Sequence, residues 1–366
     1  MISDDVGGVK RGPGDADRMW MSVKLWIVGI VLGLGSCAHQ GAGREPQGES
    51  VSNVAWSESV LATKDLDLQS PCRPRRVVPP RGVALRGKVI LIHGFTACPQ
   101  QYFEWSEKLA EAGWVSYMLL LPGHGRKPLA DGSDDFSALP GAGQDEAYEN
   151  VARAAVEIAR ADSLPTVVVG LSVGGAIALD AVQRSPEDFE RALLVSPFFA
   201  ASNTLLRSVG LPLVGHLPFL RKKKIGWGPS CVDEMKRGRG GVCNFRFDQL
   251  DTAQSYGKRV VRHTRPVTTQ VQIIGIQNDG AASNEWILKA AKKLGWNKNP
   301  RQVEGCFYQE GANHSLFSRF DSPDQNKFWL DSLLKSATEF VDESKPFAAR
   351  EPLEKSFGVC EIQSRK

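Results

Sequence analysis

The sequence lacks closely spaced cysteine pairs, internal repeats and a strong net charge, each of which marks a large class of proteins. None of its seven cysteines lies in a closely spaced pair, so the chain lacks the Cys-x-x-Cys spacing of zinc sites. No segment repeats at a fixed period, which argues against solenoids and propellers. The net charge of +4 is too small to indicate a nucleic-acid partner. We therefore predict no metal site and no nucleic-acid binding.

Composition and length favour one large globular domain. The chain of 366 residues is 42% hydrophobic and 23% charged, which is typical of a globular protein with an ample core. Length alone permits two domains, but α/β enzymes often exceed 200 residues as a single domain. We expect one domain that carries an insertion.

The N-terminal segment has the composition of an export signal. Residues 1–18 carry four aspartates among glycines, so we expect translation to start at Met19 or Met21. Lys24 then supplies a positive charge, residues 25–34 an apolar run, and Leu-Gly-Ser-Cys a cleavage site ending at Cys37. The run is shorter than the roughly 20 residues of a spanning helix. Residues 1–37 thus resemble a bacterial lipoprotein signal.

This resemblance implies a lipidated Cys37 and a protein anchored to a membrane of the bacterial cell envelope. Several acyl chains on one cysteine, at about 0.8 kcal/mol per buried methylene, hold a protein without a spanning helix. Ala38 rather than aspartate follows the cysteine, which favours the outer membrane. Ordinary secretion and a buried start to the fold are the alternatives. Residues 38–55 lack periodicity and are predicted to be a tether.

Six cysteines remain after Cys37, an even number for a compartment in which disulfides persist. Six cysteines allow fifteen pairings, and sequence cannot choose among them. Cys231 with Cys243 is the favoured single pair, because both lie in one short loop-rich segment. Ordinary buried thiols are the alternative.

Residues 56–345 are predicted to form the domain: an irregular entry with short edge strands up to residue 85, and from Lys88 onwards apolar runs that alternate with helical periodicity. Predicted strands cover 88–93, 115–121, 166–170, 192–196, 271–276 and 302–308. Predicted helices cover 100–112, 146–161, 174–184, 250–263, 283–294 and 323–341. This alternation indicates an α/β fold with a mostly parallel sheet and helices on both faces. The charged residues 346–366 are predicted to form a loose tail.

The alternation stops in residues 199–250, which we name the insertion. It contains a proline- and glycine-broken apolar segment, 211–220, followed by the basic run 221–224. Such a pair is typical of a lid that docks on lipid or anionic headgroups. A solvated basic face beside an ordinary cap is the alternative.

Residues 166–180 carry the strongest chemical signal. Three consecutive valines predict a buried strand, Gly170-Leu-Ser-Val-Gly174 a tight turn, and the small residues after it a helix. This is the Gly-x-Ser-x-Gly nucleophile elbow, in which a strained turn exposes a serine hydroxyl. We predict that Ser172 is a nucleophile.

A nucleophilic serine needs a histidine base and an acid that orients it. In this fold class the order along the chain is serine, acid, histidine. Of the six histidines, only His314 meets that order on a loop that follows a strand. Asp279 directly follows the strand 271–276 and is the predicted acid, with a helix cap or turn residue as its alternative role.

Two backbone N–H groups are predicted to stabilise the oxyanion. One belongs to Val173, the residue after the nucleophile. We assign the other to Phe95, in the His93-Gly94-Phe95-Thr96 loop, where glycine lets the backbone approach the site.

These motifs, together with Pro-Gly-His-Gly at 122–125, resemble the α/β-hydrolase superfamily, with the closest likeness to its monoacylglycerol-lipase and carboxylesterase group. The resemblance implies a cap after the sixth strand, small-molecule or lipid ester substrates, and no metal or cofactor. It implies that His93, Gly94, Thr96 and His124 line the substrate pocket, with His124 holding the loop. The chain departs from the usual pattern at Ala97 and Cys98, where relatives have Gly-Ser.

We predict a serine hydrolase that cleaves short or medium acyl esters or monoglycerides. A thioesterase, an acyltransferase or a peptidase would use the same triad. A catalytically silent envelope protein that uses the fold for binding is the alternative from another class.

Overall fold

The computed structural model describes most of the chain from residue 56 onwards, namely residues 56, 63–204, 207–208, 217–296, 298–299, 302–308, 314–315, 317–319, 329–347, 349–350 and 356–360. The predicted signal with Cys37, the tether and residues 211–216 of the insertion lie outside the described residues. Within the described ranges, no helix is both long and apolar enough to cross a membrane.

Eleven strands are formed by the described residues. They are β1 Arg75–Val77, β2 Gly87–Ile92, β3 Trp114–Leu119, β4 Thr166–Leu171, β5 Arg191–Val195, β6 Lys224–Gly226, β7 Asn244–Arg246, β8 Gln270–Ile276, β9 Val303–Tyr308, β10 Ala349–Arg350 and β11 Gly358–Cys360. Nine of them make one sheet, in the order β1-β3-β2-β4-β5-β8-β9-β11-β10. The neighbours are parallel except for the two edge pairs, β1 with β3 and β10 with β11.

The described helices are α1 Phe103–Glu111, α2 Glu146–Arg160, α3 Val173–Arg184, α4 Pro218–Arg221, α5 Pro229–Lys236, α6 Phe247–His263, α7 Asn284–Leu294 and α8 Leu330–Glu343. One apolar cluster joins the sheet to α2, α3, α6 and α7, and a second joins it to α1 and α8. Every residue of β2, β3 and β4 is buried. Helices on both faces therefore explain the continuous apolar runs of these strands.

Parallel pairing brings the carboxyl ends of the central strands together. Ile92 at the end of β2 pairs with Gly170 in β4, and β5 lies between β4 and β8. The loops that follow β2, β4 and β8 consequently emerge at one edge of the sheet, where such folds bind ligands. The predicted α/β sheet with helices on both faces is confirmed.

Two described parts of the C-terminal segment, β10 and β11, belong to the sheet, so the expectation of a loose tail is wrong for these residues. β11 extends the sheet beside β9, and β10 pairs with β11. A disulfide joins Cys306 in β9 to Cys360 in β11, and Phe357 packs on Gly305. A covalent bond to a distant strand leaves no periodic pattern, so the composition alone was misleading.

The resemblance implies that the insertion follows the sixth strand, whereas it follows β5, the fifth of the described strands. Its strands β6 and β7 form a separate antiparallel pair, and α5 lies between them in sequence. A carboxylate oxygen of Asp134 accepts hydrogen bonds from the N–H groups of Cys243 and Asn244, at 2.7 and 3.1 Å. α6 begins at Phe247, before the predicted residue 250, and buries its apolar face in the core.

All six described cysteines form disulfides. The pairs are Cys72–Cys98, Cys231–Cys243 and Cys306–Cys360. The Cys231–Cys243 prediction is thus confirmed. The first pair accounts for the departure at Cys98, because it ties the loop after β2 to the segment that precedes β1.

Candidate active site

Ser172 lies in a strained turn between β4 and α3. Its φ of 57° and ψ of −119° are rare for a residue with a side chain. A Cβ atom on Gly170 would lie 2.0 Å from the carbonyl oxygen of Gly174, and one on Gly174 would lie 2.1 Å from that of Ile92. Only glycine fits at either position, so the motif's spacing has a steric cause.

The backbone of Ser172 is hydrogen-bonded on both sides, which maintains this conformation. Its N–H donates to the carbonyl of Val195 at 2.9 Å, and its own carbonyl accepts from the N–H groups of Gly175 and Phe198 at 2.9 and 2.8 Å. Strain of this kind costs about 1–3 kcal/mol and persists only where the surroundings over-determine it. Here the neighbouring strand β5 and the start of α3 supply those contacts.

Asp279 and His314 are brought together although 35 residues separate them. The Nδ1 atom of His314 lies 2.8 and 3.0 Å from the two carboxylate oxygens of Asp279. The Asp279 side chain is fully buried, whereas 23% of the His314 side chain is exposed. Asp279 Oδ1 also accepts hydrogen bonds from the N–H groups of Ala281 and Ala282 at 2.7 and 3.0 Å.

These contacts keep the Asp279 carboxyl ionised. Burial by itself raises its pKa, but the charge of His314, the His314 hydrogen bond and the Ala282 and Ala281 N–H groups lower that pKa below its ordinary value. A carboxylate accepting at Nδ1 leaves Nε2 of the imidazole to act as the base.

Ser172, Asp279 and His314 line one cavity of about 480 Å³. The loop after β2 contributes Gly94, Phe95, Thr96 and Ala97 to its wall. The insertion contributes a further set, Trp227, Ser230, Cys231, Glu234 and Arg239. The wall is therefore mixed in polarity, and two separate parts of the chain enclose Ser172.

The loop after β2 approaches Ser172 closely. A Cβ atom on Gly94 would lie 3.3 Å from the Cβ atom of Ser172. The Gly94 N–H donates to Oε1 of Gln101 at 2.9 Å, and the Ala97 N–H donates to the Gly94 carbonyl at 3.2 Å, which closes a turn around Phe95. Val173 is the first residue of α3, where helical N–H groups have no intrahelical acceptor. Val173 thus adjoins Ser172 in the chain, and Phe95 lies in the turn that follows Gly94 and lines the same cavity.

Two of the predicted pocket residues lie behind the wall of the cavity instead of on it. Gly94 and Thr96 line the cavity as expected, but His93 and His124 do not, and they are 0% and 1% exposed. His93 Nδ1 donates to the Gly94 carbonyl at 2.8 Å, while its Nε2 accepts from the Leu121 N–H at 3.0 Å. His124 donates through Nδ1 to the Pro122 carbonyl at 2.9 Å. Both rings support the loop, so their assignment to the pocket lining is wrong, whereas the expectation that His124 holds its loop agrees with its hydrogen bond to Pro122.

Burial keeps both of these histidines neutral. Desolvation lowers the pKa of His124 to about 4, against the opposing hydrogen bonds to Pro122 and Leu121. Desolvation, followed by the charge of His124, also lowers the pKa of His93 well below its ordinary value. A neutral His93 can make both of its observed hydrogen bonds at once.

No sequence pattern predicted the contacts of Gln101 and Trp227. Gln101 stands at the start of the predicted helix 100–112, where periodicity indicates a helix but not a bond to the preceding loop. Trp227 lies between two glycines inside the insertion, a setting that does not predict which residue its indole contacts. In the described part of the chain, no group of three or more His, Cys, Asp or Glu side chains could hold a metal ion.

Part of the chain is similar in sequence to one known protein family. The model of the family described as serine aminopeptidase, S33, matches residues 84–228, which is less than half of the chain. No curated protein is significantly similar to the chain in sequence.

Solved structures share the fold at low sequence identity. A monoacylglycerol lipase from Paleococcus ferrophilus superposes with a TM-score of 0.54 at 16% identity, over 75% of this chain and 100% of that one. A soluble variant of the monoglyceride lipase from Saccharomyces cerevisiae gives 0.53 at 17% identity, over 74% and 91%. A carboxyl esterase from Bacillus coagulans gives 0.52 at 17% identity, over 73% and 92%. The chain has the α/β-hydrolase fold that these lipases and esterases share.

Proposed function

We propose that the protein is a lipase-like serine hydrolase that cleaves carboxylic esters through an acyl-enzyme. Ser172 is the nucleophile, His314 the general base and Asp279 the acid that orients the base. One observation carries the proposal: a buried Asp279 carboxylate holds Nδ1 of His314 at 2.8 Å, in the same cavity as a serine at φ 57°.

In the proposed first step, His314 Nε2 takes the Ser172 hydroxyl proton while Oγ attacks the ester carbonyl carbon. The imidazolium that forms is stabilised by Asp279, whose lowered pKa keeps it charged. Negative charge moves to the former carbonyl oxygen. The N–H groups of Phe95 and Val173 are the proposed donors to it, and each such donor is worth roughly 3–4 kcal/mol of the barrier in known cases.

The second step releases the alcohol, which takes the proton from His314 as the tetrahedral intermediate collapses to an ester on Ser172. Water then enters, gives a proton to His314 and repeats the attack on the acyl carbon. Collapse of this second intermediate releases the carboxylic acid and returns the proton to Ser172.

We propose short or medium acyl esters or monoglycerides as substrates. Two of the solved structures with this fold are lipases of monoacylglycerols by name, and the esterase structure holds glycerol. A cavity of about 480 Å³ with both aromatic and polar walls suits an ester that has one apolar and one hydroxylated part.

The test is Ser172→Ala in purified protein, read by p-nitrophenyl ester turnover and by labelling with a fluorophosphonate probe. We expect turnover to fall by about 10⁵-fold and labelling to vanish. Ser133→Ala, in an exposed turn where Ser133 bonds Asp131, is the matched control and should change neither. Ester turnover or probe labelling that survives Ser172→Ala would refute the proposal, and a wild-type protein that takes no probe would favour a binding function.

An aminopeptidase is the second candidate, because the matching family model carries that description. A thioesterase or an acyltransferase would also use this triad. Amino-acyl p-nitroanilides, acyl thioesters and p-nitrophenyl esters compared at equal concentration separate these chemistries. We expect the ester to have the highest kcat/KM, and a higher value for the anilide would favour the peptidase.

We further propose that lipidated Cys37 anchors the protein to the bacterial envelope, through the export signal predicted in residues 1–37. Cys37→Ala in full-length protein expressed in a bacterium should block incorporation of labelled palmitate and release the protein from the membrane fraction. Palmitate labelling that persists in this variant would exclude Cys37 as the anchor.

A further inference from the structure

The turn after β2, formed by residues 94–97 and named here the oxyanion loop, contains a second strained residue. Thr96 has a φ of 62° and occupies the third position of the turn that the Gly94 carbonyl closes with the Ala97 N–H. That position of a type II turn requires positive φ and is normally glycine. A β-branched residue is a clear outlier there, so contacts from outside the loop must hold it.

The insertion supplies the first of these contacts. Nε1 of Trp227 donates to the hydroxyl oxygen of Thr96 at 2.7 Å, and that hydroxyl donates to the carbonyl oxygen of Phe95 at 2.7 Å. The indole, the hydroxyl and the peptide after Phe95 thus form one chain of hydrogen bonds. Thr96 is only 1% exposed, so water does not compete for the hydroxyl.

A second contact joins the same loop to the insertion through the backbone. The Val242 N–H donates to the Thr96 carbonyl at 2.9 Å. The neighbouring Gly241 packs so closely that a Cβ atom there would lie 2.2 Å from the same oxygen. The insertion therefore bonds both the side chain and the main chain of the strained residue.

Trp227 is itself well positioned to act on the oxyanion loop. Its backbone N–H donates to the carbonyl of Cys243 at 3.1 Å, and its indole ring packs on Phe245 with 5.0 Å between the ring centroids. Its side chain lines the active-site cavity and remains 44% exposed. Because Trp227 is half-exposed and its indole N–H donates to Thr96, its role is not confined to packing in the core.

We propose that Trp227 is a positioning residue for the oxyanion hole: through Thr96 it fixes the peptide units around Phe95, so the insertion controls transition-state stabilisation as well as access. The inference rests on the proposed hydrolase function. Without the indole N–H, the Thr96 hydroxyl can rotate and the loop can relax towards φ values usual for threonine. The Phe95 N–H then no longer points steadily at the developing oxyanion.

Such a role affects the chemical step more than substrate binding, because oxyanion donors act on charge that develops in the transition state. Trp227→Phe removes the N–H and keeps an aromatic ring against Phe245. We expect kcat to fall about tenfold with KM within about twofold, since a displaced donor costs less than the 10²–10³-fold of a deleted one. Affinity for an alkyl boronic acid, which becomes tetrahedral on Ser172, should fall in parallel.

Thr96 provides the second half of the test. Thr96→Val removes the hydroxyl and should resemble Trp227→Phe, while Thr96→Ser restores it and should recover most of the lost kcat. In the double variant Trp227→Phe/Thr96→Val the losses should not multiply, because both changes break one chain of hydrogen bonds. Val232→Ala, at an equally exposed site on α5, controls for general loosening of the insertion and should retain wild-type kcat.

Three outcomes would each overturn the inference: a wild-type kcat in Trp227→Phe, an effect of Trp227→Phe on KM alone, or fully multiplicative losses of kcat in the double variant. None of them affects Ser172-dependent turnover, so the proposed function would stand. A wild-type protein without Ser172-dependent turnover would overturn both. If Trp227→Phe lowers the unfolding midpoint, kcat and boronate affinity are measured well below that temperature, where the same outcomes decide.

Discussion

The two sides of the catalytic cavity are built in different ways. On the sheet side, Ser172 follows a fully buried strand and Asp279 follows a strand buried in all but its first residue. Steric contacts with neighbouring backbone fix the glycines of the elbow. On the side of the insertion, the strands β6 and β7 have only three residues each. A disulfide joins α5 to the residue before β7, and the Asp134 carboxylate bonds the start of β7. One side is held by a large apolar core, the other by a few specific bonds.

The difference shows that a loop can be held in a defined position by a few hydrogen bonds, without a large apolar core behind it. The oxyanion loop lies between the two sides, with Gln101 bonding Gly94 from the sheet side and Trp227 bonding Thr96 from the insertion. Strain at Ser172 is balanced by β5 and α3, whereas strain at Thr96 is balanced by the insertion. Changes on the sheet side should therefore abolish chemistry or folding, and changes in the insertion should tune activity.

The largest expected effect is on the sheet side, at the acid. Asp279→Asn keeps the shape of the side chain but favours the wrong tautomer of His314, so kcat should fall by about 10⁴-fold with little change in stability. Steady-state kinetics beside a denaturant unfolding curve measures both. A loss of less than about tenfold would mean that another carboxylate orients the base.

A pair of disulfide variants compares the two sides directly. Closing 54 residues, Cys306–Cys360 at the sheet edge should contribute about 4 kcal/mol to stability, and Cys231–Cys243, which closes 12, about 3 kcal/mol. Replacing both cysteines by serine should therefore destabilise the edge variant more. Yet only the Cys231/Cys243 variant should lose kcat/KM while folded, on the order of tenfold, because the insertion no longer holds Trp227 in place.

Unfolding curves and kinetics at 15 °C test this pair. Equal loss of activity in the two variants would show that general stability, and not the geometry of the insertion, sets the rate.

Steric exclusion at the elbow should have an effect on folding. Gly174→Ala would place a methyl group 2.1 Å from the carbonyl oxygen of Ile92, and we expect a loss of about 3 kcal/mol in the free energy of unfolding. Gly280→Ala is the matched control, because no atom lies within 4 Å of its added Cβ and its φ is not positive. Similar unfolding midpoints for the two variants would contradict the close packing of the elbow.

The smallest expected effect is the pH dependence of stability that arises behind the oxyanion loop. Because the pKa of buried His124 is lowered to about 4, the unfolded state binds a proton below about pH 6.5 while the folded state stays neutral until about pH 4. The free energy of unfolding is therefore unaffected by this group above pH 6.5 and decreases as the pH falls towards 4, by about 2 kcal/mol at pH 5. His124→Asn, measured by urea unfolding at pH 7 and pH 5, should show a correspondingly smaller loss. An unchanged difference between the two pH values would mean that His124 is protonated in the folded protein.

Much of the sheet could be predicted because its strands are buried on both faces. Their continuous apolar sequence, bounded by glycines, gave β2, β4 and β8 to within one residue, and the elbow gave Ser172. β6, β7 and β11 could not be found this way, since their few residues are held by a partner strand and a disulfide that no local pattern reveals. The positions of the His93 and His124 rings could not be predicted either, because a motif gives the order of residues along the chain but not the side of a loop on which a ring lies.

The sequence by itself determined the parallel α/β fold, the strained turn at Ser172 and the chain order of the candidate triad, because periodicity and glycine sterics act over a few neighbouring residues. Only the tertiary structure decided that Asp279 contacts His314, that Cys98 binds Cys72, and that Trp227 reaches Thr96 across 131 positions. These contacts depend on where the sheet brings its loops and on how the insertion returns to them. The fold is thus a property of local pattern, and the positioning of the oxyanion loop is a property of long-range contacts.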